Sequence, residues 1–460
     1  MATLADYFNR DFLCEYFKKN LQKKKGGGRD GLSPKTFWIR YEREMEDIAE
    51  RCRKGTYRFS PYREKLVMKG RGKVPRVLSV PSFRDRLVLG VLHEYLKSVL
   101  DTFISHSVPN HLINDVCDYL SLHSNDEEVV FYKFDFHDFY GSIDHELLAV
   151  KLRMYLEDTA LQMVMNAIKT PTVSGKLTNY DIRSISKGLP QGLAISNLLS
   201  SVYMAEFDSF FIGKDGHIGF YRRYVDDILA LDNSDDKEFL PLFKKKVAEL
   251  KLNISPGKTY SGKIGDKDVD YIGYVIKSRT CVSIRPKNIQ SLLVRVARLV
   301  CLFKQQYKNS YLRPNFVKKS DELIAYYIEM LNEELSGFKD EGHLYGWIPY
   351  FQSMTDIQLL YSLDYIIHKK FLGKKDIPQE MNEKVYFLHT VYWDVKKNGG
   401  KHYFLDFDSI LDVAKMKVIL KKRGRIDSEY VYSDEQIKNI FEKYKSYRKK
   451  SAMLSIGRTS

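Results

Sequence analysis

Two adjacent aspartates sit in the tetrapeptide Tyr224-Val225-Asp226-Asp227, between the short apolar runs Gly219-Phe220-Tyr221 and Ile228-Leu229-Ala230-Leu231. That pattern predicts strand, tight turn, strand. Such a turn forces two carboxylates into one small space, and like charges that close are unfavourable unless a cation neutralises them. Hard oxygen donors on a rigid hairpin suit Mg²⁺, which binds through a few carboxylates plus substrate phosphates. The chemistry implied is phosphoryl transfer on a nucleotide; a solvated surface turn is the competing reading. A second segment weighs against that alternative. Glu128-Val129-Val130-Phe131-Tyr132-Lys133-Phe134-Asp135 is a β-branched and aromatic run ending in a carboxylate. With little alternation it predicts a strand buried on both faces. A carboxylate at its end is costly to bury unless it coordinates a cation or pairs with a base. Asp135 meeting Asp226 and Asp227 would complete a two-metal site, in which ions about 3.5–4 Å apart activate an attacking hydroxyl and stabilise a leaving oxygen.

Other segments follow in an order that resembles the reverse transcriptases. Asp135-Phe136-His137-Asp138-Phe139-Tyr140-Gly141-Ser142-Ile143 resembles their A motif. Gly188-Leu189-Pro190-Gln191-Gly192, followed by Ser196-Asn197, resembles the B motif, and Tyr224-Val225-Asp226-Asp227 the C motif. Lys258 resembles the D-motif lysine, and Tyr271-Ile272-Gly273-Tyr274 the primer grip. Arg76-Val77-Leu78-Ser79-Val80-Pro81 and Arg84-Asp85-Arg86 resemble finger motifs. Gly28-Arg29-Asp30-Gly31 and Gly55-Thr56-Tyr57 resemble the fingers of group II-intron-like bacterial enzymes. The resemblance spans roughly residues 25–300.

The resemblance implies an α+β right-hand polymerase with a mixed palm sheet, a helical thumb and a helical C-terminal extension. It divides the chain into an N-terminal segment and fingers (1–130), palm (131–280), helical thumb (281–372) and basic C-terminal extension (373–460). The implied activity is RNA-directed DNA polymerisation, adding deoxynucleotides to a primer 3′-hydroxyl. Asp135, Asp226 and Asp227 are then catalytic and, with Phe136, hold two Mg²⁺ ions, for which Mn²⁺ is a substitute. Lys258 assists the leaving pyrophosphate. Arg76, Lys73, Tyr140, Gln191 and Phe136 face the nucleotide. Tyr140 falls at the family's steric gate, where a bulky aromatic excludes a 2′-hydroxyl; RNA-templated RNA polymerases usually carry aspartate there and Gly-Asp-Asp in the C motif, and this chain has neither. A core aromatic is the plainer reading of Tyr140, and a hairpin with exposed charge that of the lysines in Lys69-Gly70-Arg71-Gly72-Lys73.

Within the family, Gly192-Leu193-Ala194-Ile195-Ser196-Asn197-Leu198-Leu199 is most similar to the defence-associated and abortive-infection enzymes. These act against phage, typically with a noncoding RNA. Val108-Pro109-Asn110-His111 departs from the pattern of retron enzymes. The alternatives are a retron or group II-like retroelement enzyme, a protein-primed or template-independent DNA polymerase, and a nucleic-acid-binding module with a vestigial site. Implied partners are an RNA template, the DNA product and deoxynucleotides, with a homo-oligomer or a partner defence protein as further options.

The elements that must position these residues read as follows. Residues 1–22 predict an amphipathic helix with Phe8, Phe12, Tyr16 and Phe17 on one side, and 34–54 and 84–100 predict helices. Residues 57–80 read as short strands around a basic turn. His145–Glu157 and the stretch after the B-motif loop read as helices, and beyond Arg285 the chain becomes helical. Gly373–Pro378 reads as a linker, and the basic runs Lys421-Lys422-Arg423-Gly424-Arg425 and Arg448-Lys449-Lys450 as RNA contacts or solvated charged faces.

Seventy-four Lys and Arg against 59 Asp and Glu leave a net charge of +15, a field that favours polyanions. Hydrophobic residues make up 44%, which argues against wholesale disorder. Five scattered cysteines form no C-x-x-C pair, so reduced thiols are expected rather than a zinc ribbon. No signal peptide or membrane span is expected, and a cytoplasmic location is.

Overall fold

The computed structural model describes residues 3–456 apart from 23–26, 69–71, 73, 104–107, 124–127, 175–184, 213–217, 234–237 and 428–429. The chain divides into two units. The first comprises residues 1–106 and 130–261, and the second residues 107–129 and 262–460. Helices and sheets are mixed in both, the α+β class expected of a right-hand polymerase. Among the described residues no helix is long and apolar enough to cross a membrane.

The first unit is built around strand Val130–Asp135. Its first five residues are buried, as a non-alternating run predicts, and only Asp135 is half-exposed. It pairs antiparallel with Asp227–Asp232, so that Asp135 lies directly opposite Asp227. Asp227–Asp232 pairs in turn with Phe220–Tyr224 through the expected hairpin. Helix Ser196–Ile212 buries Leu199, Val202, Phe207 and Phe211. Beside the sheet, Phe134, Phe207, Phe211, Tyr221, Phe239 and Phe243 form an aromatic cluster, with Phe134 stacked on Phe243 at 3.8 Å. Rings in such contact add about 0.5–1.5 kcal/mol per pair beyond their burial.

Hairpin Tyr62–Val67 and Arg76–Val80 matches the expected strands, with Val67 opposite Arg76. Helix Phe83–Val99 follows; the Ser82 hydroxyl caps it by accepting from Asp85 N. The N-terminal segment departs from the single helix expected. Helix Leu4–Tyr7 stops, Asn9 caps a second helix at Phe12 N, and Arg10–Tyr16 continues as a π-helical turn, Phe17–Leu21. Asparagine competes for backbone hydrogen bonds, and here its side chain starts a second helix. The helix expected over 34–54 is likewise interrupted, by a 3₁₀ turn at Glu42–Glu44. That expected over 145–157 ends at Arg153, and a separate helix spans Asp158–Lys169.

The second unit holds the primer-grip resemblance as a turn between strands Val269–Tyr271 and Tyr274–Ile276. Ile272 and Gly273 both have positive φ there. Long helices Pro286–Lys308 and Ser320–Leu335 follow. Tyr274 Oη lies 2.8 Å from Asn110 Oδ1 and 2.7 Å from Tyr350 O, which ties the Val108–His111 segment to this turn. Residues 373–378 form a loop; it is pinned by buried Ile377 and by Asp376 paired with Lys304 at 3.0 Å. The C-terminal residues share a core with what precedes them. Phe338 packs with Phe407, Leu420, Ile437, Phe441 and Tyr444.

Candidate active site

The carboxylates converge through the β-ladder. Residues opposite one another on antiparallel strands have Cα atoms roughly 4.5–5.5 Å apart, which sets the spacing of Asp135 and Asp227. Val225 and Asp226 form the two-residue loop of the hairpin, between Tyr224 and Asp227. Val225 has φ of 58°, and Asp226 is not in the positive-φ region. Positive φ at the first loop position alone is the pattern of a II′ turn, which normally carries glycine there. A β-branched residue in that conformation costs on the order of 1–3 kcal/mol.

Asp135 and Asp227 each meet a lysine. Lys258 Nζ donates to Asp135 Oδ1 at 2.8 Å and Oδ2 at 3.0 Å. Lys258 reaches there because the preceding segment docks on the A motif, with Ser255 N bonded to Asp135 O at 2.8 Å and His137 N to Asn253 O at 2.8 Å. The Lys133 ammonium pairs with Asp227. Asp226 carries the electrostatic strain. Burial pushes its carboxyl up, the charges of Asp135 and Asp227 push it further, and Lys258 opposes them. Among the described residues no three acid, imidazole or thiol groups stand together as a ready-made metal cage. The donor chemistry nevertheless suits a divalent cation: Asp135 and Asp227 face one another across the ladder, and the half-buried Asp226 carboxyl is held above its ordinary range by burial and by the charges of both. A cation there would exchange with the two ammonium groups. The Phe136 ring is buried and stacked on Phe139, which leaves only its backbone to offer a ligand.

The B-motif loop lies along the A motif. Gly188 N bonds to Ile143 O and Leu189 N to Tyr140 O, both at 2.7 Å, and His145 Nε2 is 2.7 Å from Gly188 O. Gly188 has φ of +95°, and a Cβ there would lie 3.2 Å from Gly141 O, so both conformation and space call for glycine. Gln191 O accepts from Ser79 N at 2.7 Å, which fixes the strand carrying Arg76 to this loop. The Tyr140 hydroxyl donates to Asn197 Oδ1 at 2.6 Å. Burial pushes that hydroxyl's pKa up, with Asp226 adding and Arg223 and Arg76 opposing, so all four side chains act on one region. Asp135, Phe136, Tyr140, Gln191, Asp226, Asp227, Lys258 and Arg76 thus lie in one unit, whereas Lys73 lies outside the described residues.

Sequence reasoning passed over four polar residues of the site. Lys133 shares the Asp135 face by its spacing of two, and the available signal was a lysine inside an otherwise apolar strand. Asn197 lies in the B-motif resemblance, which implies no role for its side chain. Arg223 and Asp208 had no local signal, because their pairing joins a strand to a helix distant in sequence.

Residues 68–276 match the model of the family described as "Reverse transcriptase (RNA-dependent DNA polymerase)". That stretch is a little under half of the chain, and the residues gathered above all lie within it. Among curated proteins it is 25% identical over 212 residues to the group II intron-encoded protein LtrA of Lactococcus lactis subsp. cremoris, covering 45% of this chain and 35% of that protein. It is 24% identical over 192 residues to protein YkfC of Escherichia coli strain K12, covering 40% and 49% respectively. The chain thus spans about a third to a half of the length of these relatives. Among solved structures, telomerase from Candida albicans in complex with a fragment of telomeric RNA aligns at a TM-score of 0.41 and 12% identity, over 93% of this chain and 69% of that one.

Proposed function

We propose that this chain is an RNA-directed DNA polymerase that adds deoxynucleotides to a primer 3′-hydroxyl. The observation that carries the reading is the register placing Asp135 opposite Asp227 beside the Asp226 turn, inside a stretch that matches the reverse transcriptase model. Asp135, Asp226 and Asp227, with the Phe136 backbone, would hold two Mg²⁺ ions, and Mn²⁺ would serve as a substitute. When bound, these supply the charge that activates the attacking hydroxyl and stabilises the leaving pyrophosphate. The chain's own groups position the reactants. Tyr140, braced by Asn197, takes the place beneath the sugar and excludes a 2′-hydroxyl. Arg76 and Lys73 neutralise the triphosphate, Gln191 approaches the sugar and base, and Lys258 brings an ammonium beside Asp135. Positioning and electrostatic stabilisation account for most of the rate in such a reaction.

Placement in antiphage defence with an associated noncoding RNA rests on the resemblance of Gly192–Leu199 to the defence enzymes. The retroelement reading is favoured by the group II intron-encoded relative. Sequencing RNA that copurifies with the protein, and DNA made from it with and without infection, separates the two.

The central test is primer extension on an RNA template. Replacing both Asp226 and Asp227 by alanine should abolish incorporation while leaving the circular dichroism spectrum unchanged. Ordinary deoxynucleotide incorporation by that folded variant overturns the assignment.

A further inference from the structure

The strained turn has a support that none of the motifs contains. Arg223, next but one before Val225, points its guanidinium back at the turn. Its Nη1 donates to Val225 O at 2.9 Å. Its Nε faces Asp208, 2.8 Å from Oδ1 and 3.0 Å from Oδ2. Tyr221 Oη donates to Asp208 Oδ1 at 2.8 Å, which holds the carboxylate in place. The pair is shielded, with side-chain exposures of 10% for Arg223 and 19% for Asp208. Asp208 belongs to helix Ser196–Ile212, which begins just after the Gly188–Gly192 loop. One planar fork therefore joins that helix to the carbonyl of the residue in the left-handed conformation. Only guanidinium offers several donors in fixed directions; a lysine ammonium is a point charge on a flexible stem.

We propose that Arg223 and Asp208 form a brace that holds Val225 in its left-handed conformation and so sets where Asp226 and Asp227 present their carboxylates. Arg223 is a positioning residue: it acts through Val225 on the acid pair. The inference rests on the reading of this turn as the polymerase centre. A pair that merely stabilised the fold would be indifferent to which residue occupies position 225. A brace against backbone strain would not, because glycine adopts φ near +60° freely.

The test is a double-mutant cycle on the full chain, measuring kcat, deoxynucleotide KM and the Mg²⁺ concentration for half-maximal extension, with a thermal melt of each protein. Arg223→Lys should lower kcat by about 10–100-fold, as misplacement of reacting groups does, with KM little changed. In a Val225→Gly background, Arg223→Lys should lose most of that effect relative to Val225→Gly alone. If Arg223→Lys melts below the assay temperature, Asp208→Asn, which keeps the guanidinium, takes its place in the cycle. The proposal is overturned if the arginine variant extends primers like the natural chain. It is equally overturned if the loss is the same factor in both backgrounds, since independent effects add. The natural chain and the Asp226→Ala/Asp227→Ala variant run alongside. If those two do not differ, the polymerase reading itself fails; if they differ and the cycle is additive, only the brace fails.

Discussion

Asp226 is the residue on which the local electrostatics turn. Burial and two neighbouring carboxylates disfavour its charge, and the cost falls on the folded protein whenever no cation is bound. Asp226→Asn removes one of three like charges. In metal-free buffer at neutral pH it should melt above the natural chain, by roughly 2–4 °C for each kcal/mol of repulsion relieved. Added Mg²⁺ should raise the melt of the natural chain more than that of the variant. Scanning fluorimetry with and without the ion checks both, and identical melts throughout would mean the three acids do not repel. Tyr140 makes a second residue-level prediction. Its hydroxyl is tied to Asn197, and on the proposed reading Tyr140→Ala would open the space beneath the sugar. Discrimination against ribonucleotides, read as a ratio of kcat/KM values, should relax by roughly 10–200-fold. At this scale the acids were legible in the sequence, because a carboxylate closing an apolar strand and a doubled carboxylate in a turn are both costly without a cation. Lys133 and Arg223 were not, since a basic side chain declares its partner only once separate elements meet.

Among elements, the B-motif loop shows how backbone geometry serves the site. It is laid against the A motif by hydrogen bonds to Tyr140 and Ile143, and Gly188 fits only because it lacks a Cβ. Gly188→Ala combines positive φ with a contact 3.2 Å from Gly141 O. It should cost about 1–3 kcal/mol of stability and displace the loop that fixes Ser79, lowering extension as well as the melt. A variant with normal stability and rate would refute that account. The strands of the first unit were legible because their apolar runs have no helical period. The interrupted helices at 1–22 and 34–54 were not. Their apolar faces continue across the breaks, and the breaks come from local capping and from packing against other elements.

Across the whole molecule, charge proved a coarser guide than motif. Two of the basic residues in the C-terminal runs face inward. Arg423 pairs with Glu329 and Glu333, and Arg448 lies 3.2 Å from Glu333 Oε2, all within the second unit. Buried Asp340 is met by Lys445 at 2.8 Å and Lys449 at 2.7 Å. Glu333→Ala would take from Arg448, shielded from water, the acid it meets and leave Arg423 with Glu329 alone, and breaking such a pair costs about 3–5 kcal/mol. Denaturant unfolding should register the loss. Lys421→Ala and Lys422→Ala, at exposed positions, should leave stability within about 0.5 kcal/mol. These inward pairings also bear on how the protein would meet a polyanion. The +15 of the sequence overstates the field at this end, because part of the arginine charge is cancelled indoors. Counterion release on binding a polyanion at this end should therefore scale with the outward basic side chains, and a salt titration would count fewer ionic contacts here than the tally of basic letters suggests.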